Sequence, residues 1–331
     1  MKKLPGRAAG LAALIGLACA CGSEIERETH ARSRLPRVLS AEFPVRLTAG
    51  DEELVFSAPP ARVLPLNAAW LDFTSLLVGP DRLAAIPAGV LGYSRLAAAP
   101  GAWAERPSFS GLEAERLLSF QPDLVLAHTW QNPETLAVLR GAGVPVLALP
   151  VPESWAEIAE TLQLLACVLG EKARGEELLR DFERRGAELL RRAQPFAGQR
   201  ALSYTNLGAG GWVSGARTTA DVLLGLCGLR NAAAEAGLEG DVPADAERLL
   251  ALAPDLFVVG RPDRTESSAP SAEFLLAEPA LADLPALRER RLLTLPPALF
   301  TTASPELLRG AEVLVEELEQ LARSKPLPAK R

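Results

Sequence analysis

The 331 residues are enough for two domains of ordinary size. The formal net charge is −6, with no basic block beyond the extreme N-terminus, and this excludes a nucleic-acid footprint. Two His and four Cys leave little material for a transition-metal site made by the protein, so neither a metal centre nor a cofactor of its own is expected.

The first residues set the compartment. Lys2, Lys3 and Arg7 form a basic start, an apolar stretch too short to span a bilayer follows, and small residues precede Cys21. The run Ala18-Cys19-Ala20-Cys21-Gly22-Ser23 resembles a bacterial lipoprotein signal. Cys21 is the lipidated residue on that reading, with Cys19 as a competing site and an ordinary secretory signal as the alternative. Cleavage would take the charge from −6 to −9 by removing those three cations. Cys167 and Cys227 then remain in the folded part, both in apolar helical contexts that suit small core residues better than a disulfide.

Taken in order, residues 1–20 are signal peptide and 21–40 a polar tether. Two short strands flank Ala49-Gly50-Asp51 and open a first lobe over 41–150. That lobe continues with a buried-type strand at 62–67, a helix around Leu71–Gly79, a strand at 83–86 and a loop from Pro87 to Gly111. The strand ending at Ala127-His128, a helix from Pro133 and a strand near Val144–Leu149 complete it. Strands alternating with helices mean a parallel sheet. Residues 151–195 carry apolar residues at helical spacing, from Trp155 through Leu169 and Leu178 to Leu190, with Gly170 as the break. At 1.5 Å per residue the second helix spans about 30 Å, a stiff connector. A second lobe over 196–323 repeats the plan and ends in a helix that Ser304 caps, with Pro305 at its first position; 324–331 is a tail.

One stretch occurs twice. Residues 114–127 read AERLLSFQPDLVLA and residues 246–259 read AERLLALAPDLFVV. Each has a glutamate (Glu115, Glu247), a short apolar helix, a proline that stops it (Pro122, Pro254), and an aspartate before a β-branched run. A repeat 132 residues apart is too long for a solenoid unit and points to two similarly built lobes.

Together with ARVLPLNAAWLDFTSLLVG, the helical stretch 153–192, TTADVLLGLCGLRNAA and LFTTASPELLRGAEVLVEEL, these motifs occur in an order that resembles the periplasmic-binding domain of ABC importers for iron-siderophore, haem and cobalamin. The resemblance covers residues 40–321. It implies two Rossmann-like α/β lobes with parallel sheets, joined by a long backbone helix, with the ligand in the cleft between them. It also implies that Glu115 and Glu247 dock onto arginines of a permease dimer that works with an ATPase. Each glutamate would in any case favour its own helix N-terminus.

Ligands of open parallel sheets sit beyond the carboxyl ends of the strands. That rule selects Asn67–Trp70, His128–Trp130, Asn206–Trp212 and Arg261, with Tyr93, Arg95 and Trp103 from the long loop and Phe300 and Thr301 before the last helix. Four tryptophans (Trp70, Trp103, Trp130, Trp212) thus fall in expected cleft loops and make an aromatic wall for a large, flat chelate. Arg95, Arg217 and Arg261 are candidates for an anionic chelate, Arg217 foremost. His128 and Tyr93 are rival axial groups should the ligand be haem. Free zinc or manganese is disfavoured, since only His30 and His128 are available. The expected function is a non-enzymatic substrate-binding lipoprotein that captures an iron-siderophore or cobalamin, with haem, an α/β enzyme or an interaction lipoprotein as alternatives. No nucleophile elbow, Walker loop or Cys/His cluster favours the enzyme.

Overall fold

A computed structural model describes residues 34–324 apart from 50–51, 93, 99, 207–209, 261–269 and 301. The expectations for Cys19, Cys21, His30, Tyr93, Arg261 and Thr301 lie outside the described residues.

Strands β1 (Arg37–Ser40), β2 (Val45–Ala49) and β3 (Glu52–Phe56) form an antiparallel sheet in the order β1-β2-β3. β1 lies within the stretch read as tether; its polar outer face concealed a strand whose pairing with β2 supplies the missing partner. Arg34, just before it, is ion-paired with Glu153 and Glu157.

In the first lobe β4 (Val63–Pro65) leads into α1 (Ala68–Leu77). The small parallel pair β5 (Ile86–Pro87) and β6 (Ser108–Phe109) follows, then α2 (Ala114–Leu118), β7 (Leu124–His128), α3 (Pro133–Gly141) and β8 (Val146–Leu149). The main sheet is parallel, in the order β4-β7-β8. The linker is α4 (Trp155–Leu169) and α5 (Lys172–Ala193), separated by Gly170 at φ 75°.

The second lobe contains β9 (Arg200–Asn206), β10 (Gly211–Ser214), α6 (Thr219–Leu226), β11 (Arg230–Asn231), α7 (Ala232–Glu235), β12 (Asp241–Pro243), α8 (Ala246–Leu252) and β13 (Leu256–Gly260). It closes with α9 (Pro270–Ala277), α10 (Pro285–Arg288), β14 (Leu292–Leu295), α11 (Pro297–Phe300) and α12 (Glu306–Ser324). β9, β13 and β14 are parallel, and β11 joins β9 parallel on its other side. β10 and β12 add an antiparallel edge that the alternation of strands and helices did not announce.

The apolar runs of both repeats sort by alternation. Leu124 and Leu126 of β7, like Leu256 and Val258 of β13, join one core that runs from the first lobe through Ile158, Leu165 and Phe182 to Leu314. Val125 and Ala127, and Phe257 and Val259, face separate outer cores. Both faces of each central strand are therefore buried, which is why the strands read as unbroken apolar runs.

The aspartate of the repeat has a structural task in each lobe. Asp123 accepts the main-chain N–H of Ala61 and Arg62 at 2.7 and 2.8 Å, aligning the start of β4 with β7. The Arg62 guanidinium returns to the carbonyls of Phe120 and Gln121. In the second lobe Asp255 accepts Arg200 N–H at 2.8 Å, and the Arg200 guanidinium reaches the carbonyls of Leu252 and Ala253. Gln121 and Ala253, each just before the proline, share a left-handed backbone at φ 50° and 40°.

The linker is bolted to both lobes. Arg82 donates to Glu171 and to the carbonyls of Leu169 and Pro60. Arg185 and Arg192 make two-point pairs with Glu312 and Glu319 of α12, at 2.8–3.0 Å. Such forked pairs fix geometry as well as attract.

Candidate functional site

The carboxyl ends of β4, β7 and β8 in one lobe, and of β9, β13 and β14 in the other, gather most of the expected ligand residues. Asn67 caps α1 by accepting Trp70 N–H at 3.1 Å, which swings the first turn of the helix across the end of β7. His128 ends β7 with 4 % of its surface exposed and packs between two indoles, tilted against Trp70 and stacked on Trp130. Its ring centroid lies 4.7 Å from Trp70 and 5.4 Å from Trp130, the latter nearly parallel at 23°. His128 Nδ1 is 3.4 Å from the Leu149 carbonyl. Burial lowers its pKa to about 4, so the ring is neutral at physiological pH. A neutral imidazole donating through Nδ1 keeps its Nε2 lone pair for another partner.

The four tryptophans do not form one exposed wall. Trp70 sits in the first turn of α1 with no exposed surface and its Nε1 without a hydrogen-bond partner among the described residues. Trp103 lies in the 3-10 turn Gly101–Glu105, half-buried against the main core. Trp130, in the turn after β7, is 67 % exposed, and Trp212, on β10 rather than in a loop, is 44 % exposed. The correction has a simple cause: an apolar face that covers the linker side of a sheet takes up the first large ring available, and Trp70 fills that place beside Phe73.

Phe300 is buried, its ring lying over Gly260 at the end of β13, where an added Cβ would come within 3.3 Å of it. Asn206 is buried too, its N–H donated to Ser271 Oγ and its side chain to the Tyr204 hydroxyl. Arg217 is exposed, has a left-handed backbone at φ 64°, and is paired at 2.8 Å with Glu153 at the start of the linker. Glu153 also holds Arg34.

Arg95 is not free for a ligand. Its N–H donates to Asp72 Oδ1 at 2.8 Å, and its guanidinium reaches Glu306 at 3.2 Å and Ser75 Oγ at 3.2 Å. Asp72 and Glu306 are members of this cross-lobe cluster that motif reading passed over, and Ser304, expected only as a helix cap, is a third. The available signal was a carboxylate inside the apolar helix segment Trp70-Leu71-Asp72-Phe73, a charge that must find partners when buried.

Glu115 and Glu247 belong to the amino ends of strands, whereas His128 closes the carboxyl end of one. Each lies in the first turn of the helix that precedes its strand, α2 before β7 and α8 before β13, so both sit near the amino ends of those strands. Both are exposed and have no ion-pair partner among the described residues. A depression of about 270 Å³ lies between β3 and the start of β8, lined by Val55, Phe56 and Val146. Among the described residues no three His, Cys, Asp or Glu side chains converge on a metal-sized site, and no helix is long and apolar enough to cross a membrane. Cys167 and Cys227 are both free thiols, the first half-buried and the second buried.

The periplasmic binding protein family model matches residues 81–299. The chain belongs to that family, the substrate-binding proteins of ABC importers. Family members bind and deliver solutes outside the cytoplasm rather than transform them. A curated relative, an uncharacterized ABC transporter substrate-binding lipoprotein of Bacillus subtilis, is 20 % identical over 96 % of this chain and 98 % of its own. A periplasmic haem-binding protein from Roseiflexus sp. RS-1, in apo form, is 27 % identical with a TM-score of 0.66, covering 79 % of this chain and 98 % of the other. A periplasmic haem-binding protein from Pseudomonas aeruginosa is 26 % identical with a TM-score of 0.66, covering 82 % and 96 %. The two-lobed α/β architecture with a helical linker is that of the family.

Proposed function

We propose that the protein captures a flat iron chelate between its lobes and delivers it to a membrane permease, and that haem suits the cleft best. The observation that carries this reading is the aromatic stack at the end of β7. Trp130 offers an exposed indole face, and behind it His128 and the buried Trp70 hold that face in place. A rigid ring backed by two more covers a planar ligand with little loss of side-chain entropy. The likeness to two haem-binding proteins at 26–27 % identity supports the same choice. Arg217, paired with Glu153, would exchange that partner for a carboxylate of the chelate on this reading. The Tyr93 hydroxyl and His128 Nε2 are the rival axial groups; His128, 4 % exposed and covered by Trp130, would ligate only with that indole moved aside. Trp212 and Arg261 come from the second lobe; Trp103 and Phe300 support loops around the site.

On this reading Cys21 carries the lipid that holds the receptor to a membrane, residues 21–36 are the tether, and Glu115 and Glu247 dock the two lobes on permease arginines. Their exposure, free charge and equivalent positions support the docking role.

The test is titration of the purified mature protein with hemin, aquacobalamin and a ferric hydroxamate, followed by absorption spectrum and thermal unfolding. A shifted Soret band with hemin, and about 2.7 kcal/mol of stabilisation at a hundred times the dissociation constant, is the expected result. A response to a ferric hydroxamate or a corrinoid but none to hemin replaces haem by that chelate. Silence with all three removes the receptor reading.

A further inference from the structure

The imidazole of His128 and the indole of Trp130 are stacked, with their planes 23° apart and their centroids separated by 5.4 Å. That angle decides which contacts a flat ligand can make in the first lobe. A planar ligand laid on the exposed face of Trp130 lies parallel to the indole, and so nearly parallel to the imidazole behind it. The Nε2 lone pair lies in the plane of the imidazole, so an axial histidine has to stand edge-on to the ring it serves. Stacking on Trp130 and ligation by His128 therefore exclude one another.

The stack is the arrangement that the chain holds in place. Trp70, itself fully buried, closes the other side of His128 with ring centroids 4.7 Å apart. The turn that carries Trp130 is pinned at three points. The His128 N–H donates to Oε1 of the buried Gln131 at 2.8 Å, the Gln131 N–H returns to the His128 carbonyl at 3.1 Å, and the Thr129 N–H donates to the Leu149 carbonyl at 3.0 Å. Moving the indole aside would break these bonds.

The second lobe offers another indole. In β10 Val213 points into the outer core, so its neighbour Trp212 points to the opposite face of the sheet, the face from which Ala201 and Val258 meet the core shared with the linker. Trp212 stands opposite Thr205, next to the last residue of β9, and so at the carboxyl ends of the strands. Trp130 and Trp212 are the two exposed aromatic rings among the described residues, one from each lobe. The phenol of Tyr204, by contrast, is fully buried in the outer core.

We propose that the receptor recognises the plane and the anionic rim of its ligand rather than the metal, so that a flat tetrapyrrole is captured with or without its central ion. Trp130 and Trp212 are then the specificity-determining residues, and Arg217 meets the carboxylates of the rim. Aromatic stacking acts on the π-face of the macrocycle, which is present in both forms. Coordination would favour the iron form alone. The rival axial groups thus bear on the spectrum of a haem complex, not on whether the ligand is held.

This inference rests on the flat-chelate reading and is tested beside it. The purified mature protein is titrated with hemin and with protoporphyrin IX, the same macrocycle without metal, following the quenching of tryptophan fluorescence. Expected are dissociation constants within about fivefold of each other, since a stack gains little from the metal. Trp130→Ala and Trp212→Ala should each weaken both ligands alike, by about tenfold, while Trp130→Phe keeps a ring to stack on and most of the affinity. Hemin bound a hundredfold or more tighter than protoporphyrin IX overturns the proposal, as do alanine variants that bind both ligands as the parent does. Capture of hemin without protoporphyrin IX ends this proposal alone and leaves the receptor reading standing. Failure of both to bind ends the flat-chelate reading as well.

Discussion

The Asp123 carboxylate accepts the main-chain N–H of Arg62 while the Arg62 guanidinium holds the carbonyls of the turn that delivers Asp123, and the pair recurs as Asp255 and Arg200 in the other lobe. Two lobes thus solve one problem in one way. The chain must stop a helix, turn left-handed, and start a strand in register with its neighbour, and a single carboxylate sets that register. Asp123→Ala and Asp255→Ala should each cost about 1–2 kcal/mol, the worth of charge-assisted bonds to main-chain amides. Denaturant unfolding of the two variants checks this, and a loss below a few tenths would show the strands to be registered by packing alone.

Gly170 separates α4 from α5 with φ 75°, and an added Cβ would lie 2.8 Å from Pro59 Cγ. Gly170→Ala therefore meets backbone strain and a rigid ring together, and should cost about 2 kcal/mol or more. Gly186, inside α5, has nothing within 4 Å of its built Cβ. Gly186→Ala should instead gain about 0.5–1 kcal/mol from helix propensity. Thermal melts of both variants beside the parent decide the contrast.

Two buried groups make opposite demands on pH. The Asp72 carboxyl, raised from 3.8 to about 7, holds its proton more tightly folded than unfolded. Its contribution is full below about pH 4 and is lost as pH rises through about 7. His128, lowered from 6.5 to about 4, is protonated more easily unfolded, so its contribution is lost as pH falls through the same range. At 1.36 kcal/mol per unit these shifts are worth at most roughly 4 kcal/mol for Asp72 and roughly 3 kcal/mol for His128, and they offset one another between about pH 4 and 6.5. Asp72→Asn should make stability fall more steeply on acidification than in the parent. His128→Phe should make it fall as pH rises from 4 to 7. Parallel stability curves for parent and variants over that range would refute both assignments.

Glu115→Ala with Glu247→Ala should leave the affinity for hemin unchanged, because neither belongs to the residues gathered at the carboxyl ends of the strands. Uptake by cells that depend on this receptor should drop at least tenfold, if losing both contacts removes the docking of both lobes. Lost affinity would instead place the glutamates in the ligand site, and undiminished uptake would end the docking role.

Much of the architecture was legible in the chain. Both repeats carry a helix stop, a proline and an aspartate before an apolar run, and these are local signals that no tertiary context overrides. The exposed glutamates and the break at Gly170 are legible for the same reason. β10 and β12 were not, because they pair with each other across 27 to 31 positions of chain and their short sequences resemble loops. The first lobe's opening strand escaped likewise, since its partner β2, not its own polar composition, makes it a strand.

The sequence by itself determined two α/β lobes, a stiff linker, and which ends of the strands face which way, because propensity, capping and alternation act over a few residues. The tertiary structure decided which rings are exposed and which buried: Trp130 and Trp212 reach solvent, while Trp70 and Phe300 are taken into the interior by space left between elements. It also decided that Asp72 meets Ser304 across 232 positions of chain. No periodicity announces such a contact, because burial and the partners that compensate it exist only once the two lobes have closed on the same linker.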